Sequence, residues 1–225
     1  MEKLSVQFNI NPQLYSKDPE SSVLGKKILE QSIILIDELG FEGFTFKKLG
    51  KKIGSNESSI YRYFRSKHTL LIYLIDWYWS WVEYKLTFAT TNVENPNEKL
   101  TRSIQLLTQG IQEDDNFTHI NEVLLNKIII AESIKAYLTK DIDLENEKGY
   151  FKTYKRVVQR VSEFIMQINP NFKYPHMLVS TVIEGAHQQL FFSDHLPSIT
   201  NVENGIDSIV CFYTHLVFKT IEKDE

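Results

Sequence analysis

The sequence predicts an all-α chain: a small N-terminal three-helix head followed by a larger helical body. Three observations carry this. Apolar residues recur at three- and four-residue spacing in successive segments. Nine glycines and six prolines among 225 residues are few, whereas strand-rich proteins need many turns. Helix start and stop signals fall between the periodic segments.

Taken in order, residues 1–20 contain Pro12 and Pro19 and read as an arm. Leu4, Val6, Phe8 and Ile10 alternate with polar residues, so an extended segment that docks elsewhere is expected rather than a sheet. From Ser22 to Leu39 the period becomes helical, with Ile28, Leu29, Ser32, Leu35, Ile36 and Leu39 on one side. Gly40 is a natural stop, because it tolerates the left-handed conformation. Thr45 caps a short helix, "FKKLGKKI"; Gly54 and Ser55 turn the chain; "NESSIYRYF" forms a third helix. Ser66 caps a long fourth helix from about Lys67 to Thr91.

The body continues in helices. Asn95-Pro96-Asn97-Glu98 is a start signal for a helix to about Asp114. Another helix covers about Thr118 to Leu138. The stretch "LENEKGYFKTYKRVVQRVSEFIMQI" reads as one long helix ended by Pro170. Pro175 opens a helix through Phe192, and Thr200-Asn201-Val202-Glu203 resembles a capping box for the last, through Glu222.

Composition bounds the function. The chain is 42% hydrophobic and 24% charged, ordinary for a soluble globular protein. Its one cysteine, Cys211, excludes an internal disulfide and suits a reducing cytoplasm. The N-terminus shows no cleavage-site pattern, and the longest apolar stretch, "LLIYLIDWYWSWV", is interrupted by Asp76 and Ser80. A signal peptide and a membrane span are therefore not expected.

The net charge of −4 is unevenly spread. Residues 21–67 carry nine Lys or Arg against five Asp or Glu, while residues 68–225 carry fourteen against twenty-one. A basic block ahead of an acidic body suggests that one end meets a polyanion. Within that block, "SSIYRYFRSK" crowds two tyrosines, two arginines, a lysine and a phenylalanine together. Two short helices joined by a Gly turn describe a helix-turn-helix, whose second helix enters the DNA major groove. Ile60 and Phe64 would then face the core with Leu49 and Ile53. Tyr61 and the hydroxyls of Ser58 and Ser59 would face DNA, and Lys67 would hold phosphate.

The matching points over residues 23–75 are Gly40, Phe41, Thr45, Leu49, Gly54, Ser59, Ile60, Tyr61, Tyr63, Phe64, Ser66, Lys67, Leu70 and Leu71. On these, the stretch resembles the DNA-binding domain of TetR/AcrR-type regulators. The resemblance implies that Thr45 and Lys47 touch phosphate. It places Glu57, Ser58, Ser59, Tyr61 and Tyr63 along the recognition helix and Lys67 on backbone phosphate. Two departures stand out: Ser55 replaces a usual Val in the turn, and Glu57 stands where Lys or Gln is common. A carboxylate accepts from a cytosine amino group but repels phosphate, so an unusual base preference is expected.

The resemblance further implies a ligand-responsive regulator, with residues 1–20 as arm, 21–67 as DNA-binding domain and 68–225 as ligand-binding and dimerisation domain. The aromatic fourth helix suggests an apolar site drawn from Trp77, Trp81, Phe88, Leu107, Ile111, Leu124, Ile128, Tyr154 and His187. Ser180, Thr181, Gly185 and Ala186, with Ser208, Cys211, His215 and Phe218 on the last helix, read as a dimer interface. Cys211 is expected to be buried. The expected partners are operator DNA, a second copy of the chain and a small hydrophobic ligand, in the cytoplasm and with no membrane. No cofactor or metal is expected: Glu184 and His187 make one E-x-x-H, where a di-iron bundle needs two and further Glu. A helical enzyme or carrier with a vestigial head, and a nucleoid-type binder without an effector, are the alternatives.

Overall fold

The structure, a computed structural model, describes residues 7–111, 119–202 and 208–222. Among these residues there is no strand; eleven α-helices and three short 3-10 turns build two compact units. The first unit is Met1–Ser80 with Ile111–Lys152, and the second is Trp81–Gly110 with Thr153–Glu225.

In the first unit, α1 spans Val23–Gly43. Ser22 caps it, its hydroxyl accepting from Gly25 N at 3.1 Å. Gly40 adopts φ 68° and ψ 161°, which breaks the helix at the position where the sequence places a stop. A single turn follows before α2, Phe46–Ile53. Thr45 caps α2 by accepting from Lys48 N at 3.2 Å. Gly54 ends it in the left-handed region (φ 69°), and Ser55 N donates to Gly50 O at 2.9 Å. Helix α3 is Glu57–Tyr61, shorter than the nine residues expected; Tyr63 N and Phe64 N both turn back onto Ile60 O.

Helix α4, Lys67–Thr90, opens on a reciprocal box. Thr69 N donates to Ser66 Oγ, and Ser66 N donates to Thr69 Oγ1, both at 3.1 Å. The same unit contains α6 (Glu122–Glu132), α7 (Ile134–Tyr137) and α8 (Ile142–Glu147). Asn121 caps α6. The expected single helix to Leu138 breaks at Ser133, and Thr118 lies outside the described residues.

The arm docks, as the alternation suggested. Residues Pro12–Leu14 and Pro19–Ser21 form 3-10 turns, and Ile10, Leu14 and Pro19 are buried. Asn11 N donates to Asp76 Oδ2 (3.1 Å), and Ser16 N donates to Tyr63 O (2.8 Å). Leu4 and Val6 lie outside the described residues.

The second unit packs the end of α4 with α5 (Pro96–Thr108), α9 (Lys152–Ile168), α10 (Pro175–His195) and α11 (Ser208–Ile221). Helix α5 stops at Thr108, while Asp114 lies outside the described residues. The long helix expected over residues 144–168 is two helices. Gly149 takes φ 78° between α8 and α9, which lets Tyr150 and Phe151 bury themselves, Phe151 against Tyr137 with centroids 5.5 Å apart. The capping box proposed at 200–203 is partly outside the described residues, whose last helix is Ser208–Ile221.

Candidate nucleic-acid interface

The apolar residues of α2 and the α3 stretch that the spacing assigns to the core are turned inward, which leaves polar and cationic side chains outward. Leu49, Ile60 and Phe64 have no exposed surface and Ile53 has 5%, as the four-residue spacing required. What remains outward is Thr45, Lys47 and Lys48, then Glu57 and Ser58, then Tyr61, Arg62 and Arg65. Tyr61 is half exposed and is braced edge-on against Phe46, with centroids 5.0 Å apart. Its hydroxyl is thus carried on a rigid ring.

Asn56 organises the start of α3. Its Oδ1 accepts from Ser59 N (2.9 Å) and from the hydroxyls of Ser58 (2.8 Å) and Ser59 (2.6 Å). Both serines therefore begin with their protons committed to Asn56, and their lone pairs remain as acceptors. Asn directly before the E-S-S run is a placement that caps a helix start.

Lys67 stands at the first turn of α4, but its ammonium is already engaged. It donates to Phe41 O (2.9 Å) and Glu42 O (3.4 Å), lies 4.6 Å from the Phe41 ring centroid, and is 3.8 Å from the Glu42 carboxylate. An ammonium has three donors, so two carbonyls leave one for a phosphate oxygen. Lys27 acts similarly at the other end of the motif, donating to Ile53 O at 3.0 Å near the C-terminus of α2.

Tyr63 departs from the expectation. It is 3% exposed, its hydroxyl is 2.8 Å from Ser22 Oγ, and Lys17 Nζ lies 5.1 Å from its ring centroid. Burial raises its phenol pKa, but hydrogen bonds from Ser22 and Lys17 and the charges of Lys17 and Arg62 outweigh this, and the net direction is down. Tyr63 fastens the arm and the start of α1 to the head and offers DNA no surface. Arg62 and Arg65, exposed beside it, are cations that the motif comparison passed over.

The residues proposed for a ligand fall in both units. Trp77, Ile111, Leu124 and Ile128 belong to the first; Trp81, Phe88, Leu107, Tyr154 and His187 belong to the second. Trp77, Trp81 and Ile128 are buried, and Leu124 and Ile111 are half-buried. Phe88 is 68% exposed, with the Tyr84 ring of its own helix 4.7 Å away between centroids, while Leu86 takes the inward position there. It is neither core nor enclosed wall. Leu107 joins Leu100, Ile104, Val161, Ile165, Val179, Val182 and Val217 around a gap of about 10 Å³, which is solid packing. Tyr154 donates to Glu184 Oε1 at 3.0 Å. His187 is buried, and desolvation pulls its pKa down to about 4.

The proposed interface residues also divide. Thr181, Cys211 and His215 are exposed, and Ser180, Ser208 and Phe218 are half-buried. Cys211 therefore corrects the expectation of burial: Tyr213 and Val217 take the inward face of α11. Ala186 has no exposed surface, and a Cβ on Gly185 would meet Tyr213 Oη at 2.2 Å. Gly185 thus lets Tyr213 of α11 approach α10 within the same chain, and Ala186 is covered by its own chain.

Comparison with known proteins matches the head. Residues 28–74 fit the model of bacterial regulatory proteins, tetR family. The chain is 22% identical over 171 residues to Probable HTH-type transcriptional regulator YttP of Bacillus subtilis (strain 168), covering 72% of this chain and 82% of the relative. AibR, solved in complex with isovaleryl coenzyme A and operator DNA, superposes with a TM-score of 0.56 at 17% identity, over 86% of this chain and 98% of AibR. PfmR, a TetR family transcriptional regulator from Thermus thermophilus, gives 0.57 at 16%, over 87% and 99%. At such identities the solved structures speak for the fold. Taken with the head's geometry, the match over residues 28–74 makes this stretch a DNA-binding head of the kind found in bacterial regulatory proteins of the tetR family.

Proposed function

We propose that the chain is a homodimeric repressor that sits on operator DNA and is released by a small hydrophobic molecule bound in its helical body. The observation that carries the DNA half is the outward row of α2 and α3. Thr45, Lys47, Glu57, Ser58, Tyr61 and Arg62 are exposed and Ser59 is half-buried, while Leu49, Ile60 and Phe64 on the same elements are sealed, which supports this reading. Two such faces related by a dimer axis meet successive major grooves about 34 Å apart. AibR was captured with both an acyl coenzyme A and operator DNA, which supports a ligand-responsive reading here. Among the described residues no helix is long and apolar enough to cross a membrane, and a DNA-binding role fits the cytoplasm.

The dimer surface on this reading is the outer face of α10 and α11. Thr181, Cys211 and His215 are exposed there, together with Met177 (66%) and Phe212 (58%). Exposed apolar side chains in such positions are what an interface covers. A ligand works by binding the DNA-free state better than the bound one.

The test is selection of bound duplexes from random DNA, followed by titration at several salt concentrations. Lys67→Ala should lower affinity on every sequence and flatten the log–log salt dependence by about one unit, the share of one phosphate. Tyr61→Ala should weaken binding with the fold intact. Glu57→Gln should change the selected bases. A selection that enriches no motif, or a Lys67→Ala protein with unaltered salt slope, overturns the respective assignment. Thermal shifts across a panel of hydrophobic compounds, followed by release of the selected duplex, test the ligand.

A further inference from the structure

We propose that Glu132 is a positioning residue for DNA binding: its buried carboxylate holds the Phe41–Glu42 turn, and that turn sets where Lys67 presents its ammonium. The proposal rests on the reading of Lys67 as a phosphate contact.

Gly40 breaks α1, and the next N–H is that of Phe41. It donates to Glu132 Oε1 at 2.9 Å, across 91 positions of sequence. Glu132 ends α6 and is 8% exposed. The other side of the same residue is held by a cation: Phe41 O accepts from Lys67 Nζ at 2.9 Å. Phe41 is thus fixed through its N–H by an anion and through its carbonyl by the lysine expected on DNA. Lys135 completes the arrangement. Its Nζ is 2.6 Å from Glu132 Oε2, paired by charge though off the line of a hydrogen bond, and 3.9 Å from Glu42 Oε1. A second link therefore runs from the end of α6 to the same turn.

Burying a carboxylate is costly unless its oxygens are used. Glu132 uses both, one on the head's backbone and one on Lys135. Releasing Phe41 N–H would let the turn swing, because Gly40 offers no side chain to hinder it and lies only 3.5 Å (by its would-be Cβ) from Glu132 Oε1. Lys67 follows, since two of its three donors are committed to that turn.

The experiment is a double-mutant cycle on the duplex recovered by selection. Glu132→Ala should lose about tenfold in affinity and about one unit of salt slope. Glu132→Ala with Lys67→Ala should bind no more weakly than Lys67→Ala alone, because both remove the same contact. Glu132→Gln keeps an oxygen acceptor for Phe41 N–H and should restore affinity to within about threefold. If Glu132→Ala melts below the assay temperature, Glu132→Asp, which withdraws the acceptor by one methylene, takes its place. Without DNA, the Phe41 amide should exchange faster in Glu132→Ala than in Glu132→Gln. Affinity losses that multiply in the double variant, or wild-type binding by Glu132→Ala while Lys67→Ala is impaired, overturn the proposal and leave the Lys67 reading standing. Wild-type binding by Lys67→Ala removes the Lys67 reading and this proposal together, and the exchange rate then reports only whether Glu132 holds the turn.

Discussion

At the scale of single residues, burial decides roles that residue type leaves open. Tyr61 and Tyr63 are two positions apart, yet one is half exposed and the other 3% exposed. Tyr63→Phe should cost about 1 kcal/mol, the net worth of its hydrogen bond to Ser22. It should leave DNA affinity and salt slope unchanged, as urea melts and binding titrations will show. His187 makes a pH prediction. Its pKa is lowered to about 4 from 6.5 by desolvation, so the folded chain keeps it neutral. Between these values the unfolded state binds the extra proton, so stability rises with pH there. The contribution is full above about pH 6.5 and is lost as the pH falls toward 4. The shift corresponds to about 3 kcal/mol. His187→Gln, which stays neutral, should flatten the urea stability profile over this window; an unchanged slope would assign the acid sensitivity to other groups.

At the scale of elements, caps were legible and interruptions less so. Ser22, Thr45 and Asn95 cap α1, α2 and α5 through hydrogen bonds to the next turn, as short polar side chains before an apolar run should. By local propensity Gly149 reads as one residue of a long helix, because a lone glycine costs only about 1 kcal/mol in a helix. Its break is chosen by the burial of Tyr150 and Phe151, which local propensity does not register. Of the small residues of α10, Gly185 faces Tyr213 of its own chain. Gly185→Ala should destabilise the chain by roughly 1–3 kcal/mol through overpacking on Tyr213. Tyr213→Phe removes the hydroxyl that a Cβ would strike and should recover most of that loss in the double variant. Recovery would be read from denaturation midpoints. Its absence would mean that α10 and α11 relax around the added methyl instead.

At the scale of the whole molecule, the charge split between a basic head and an acidic body agrees with a chain that grips a polyanion at one end only. The dimer belongs to this scale as well. Sedimentation at micromolar concentration should show two copies, and Met177→Glu with Phe212→Glu should return single, folded chains that bind the selected duplex far more weakly. Wild-type protein sedimenting as one copy would end the homodimer reading. Cys211, exposed on α11 near Phe212, gives an independent check, since modification by a thiol reagent should slow as the protein concentration rises.

By itself the sequence determined the helical class, the caps at Thr45, Ser66 and Asn95, the turn at Gly54, the inward set of Leu49, Ile53, Ile60 and Phe64, and the family of the head. These rest on periodicity and on short-range backbone chemistry, which act within one or two turns of helix. Tertiary structure decided what covers each apolar or small face. It put Tyr63 beneath the arm, turned Phe88 and Cys211 to solvent, gave Gly185 and Ala186 to their own chain, and brought Glu132 to Phe41 across 91 residues. A helical period names the face that seeks a partner and is silent on which partner arrives, because that depends on packing between elements far apart in sequence.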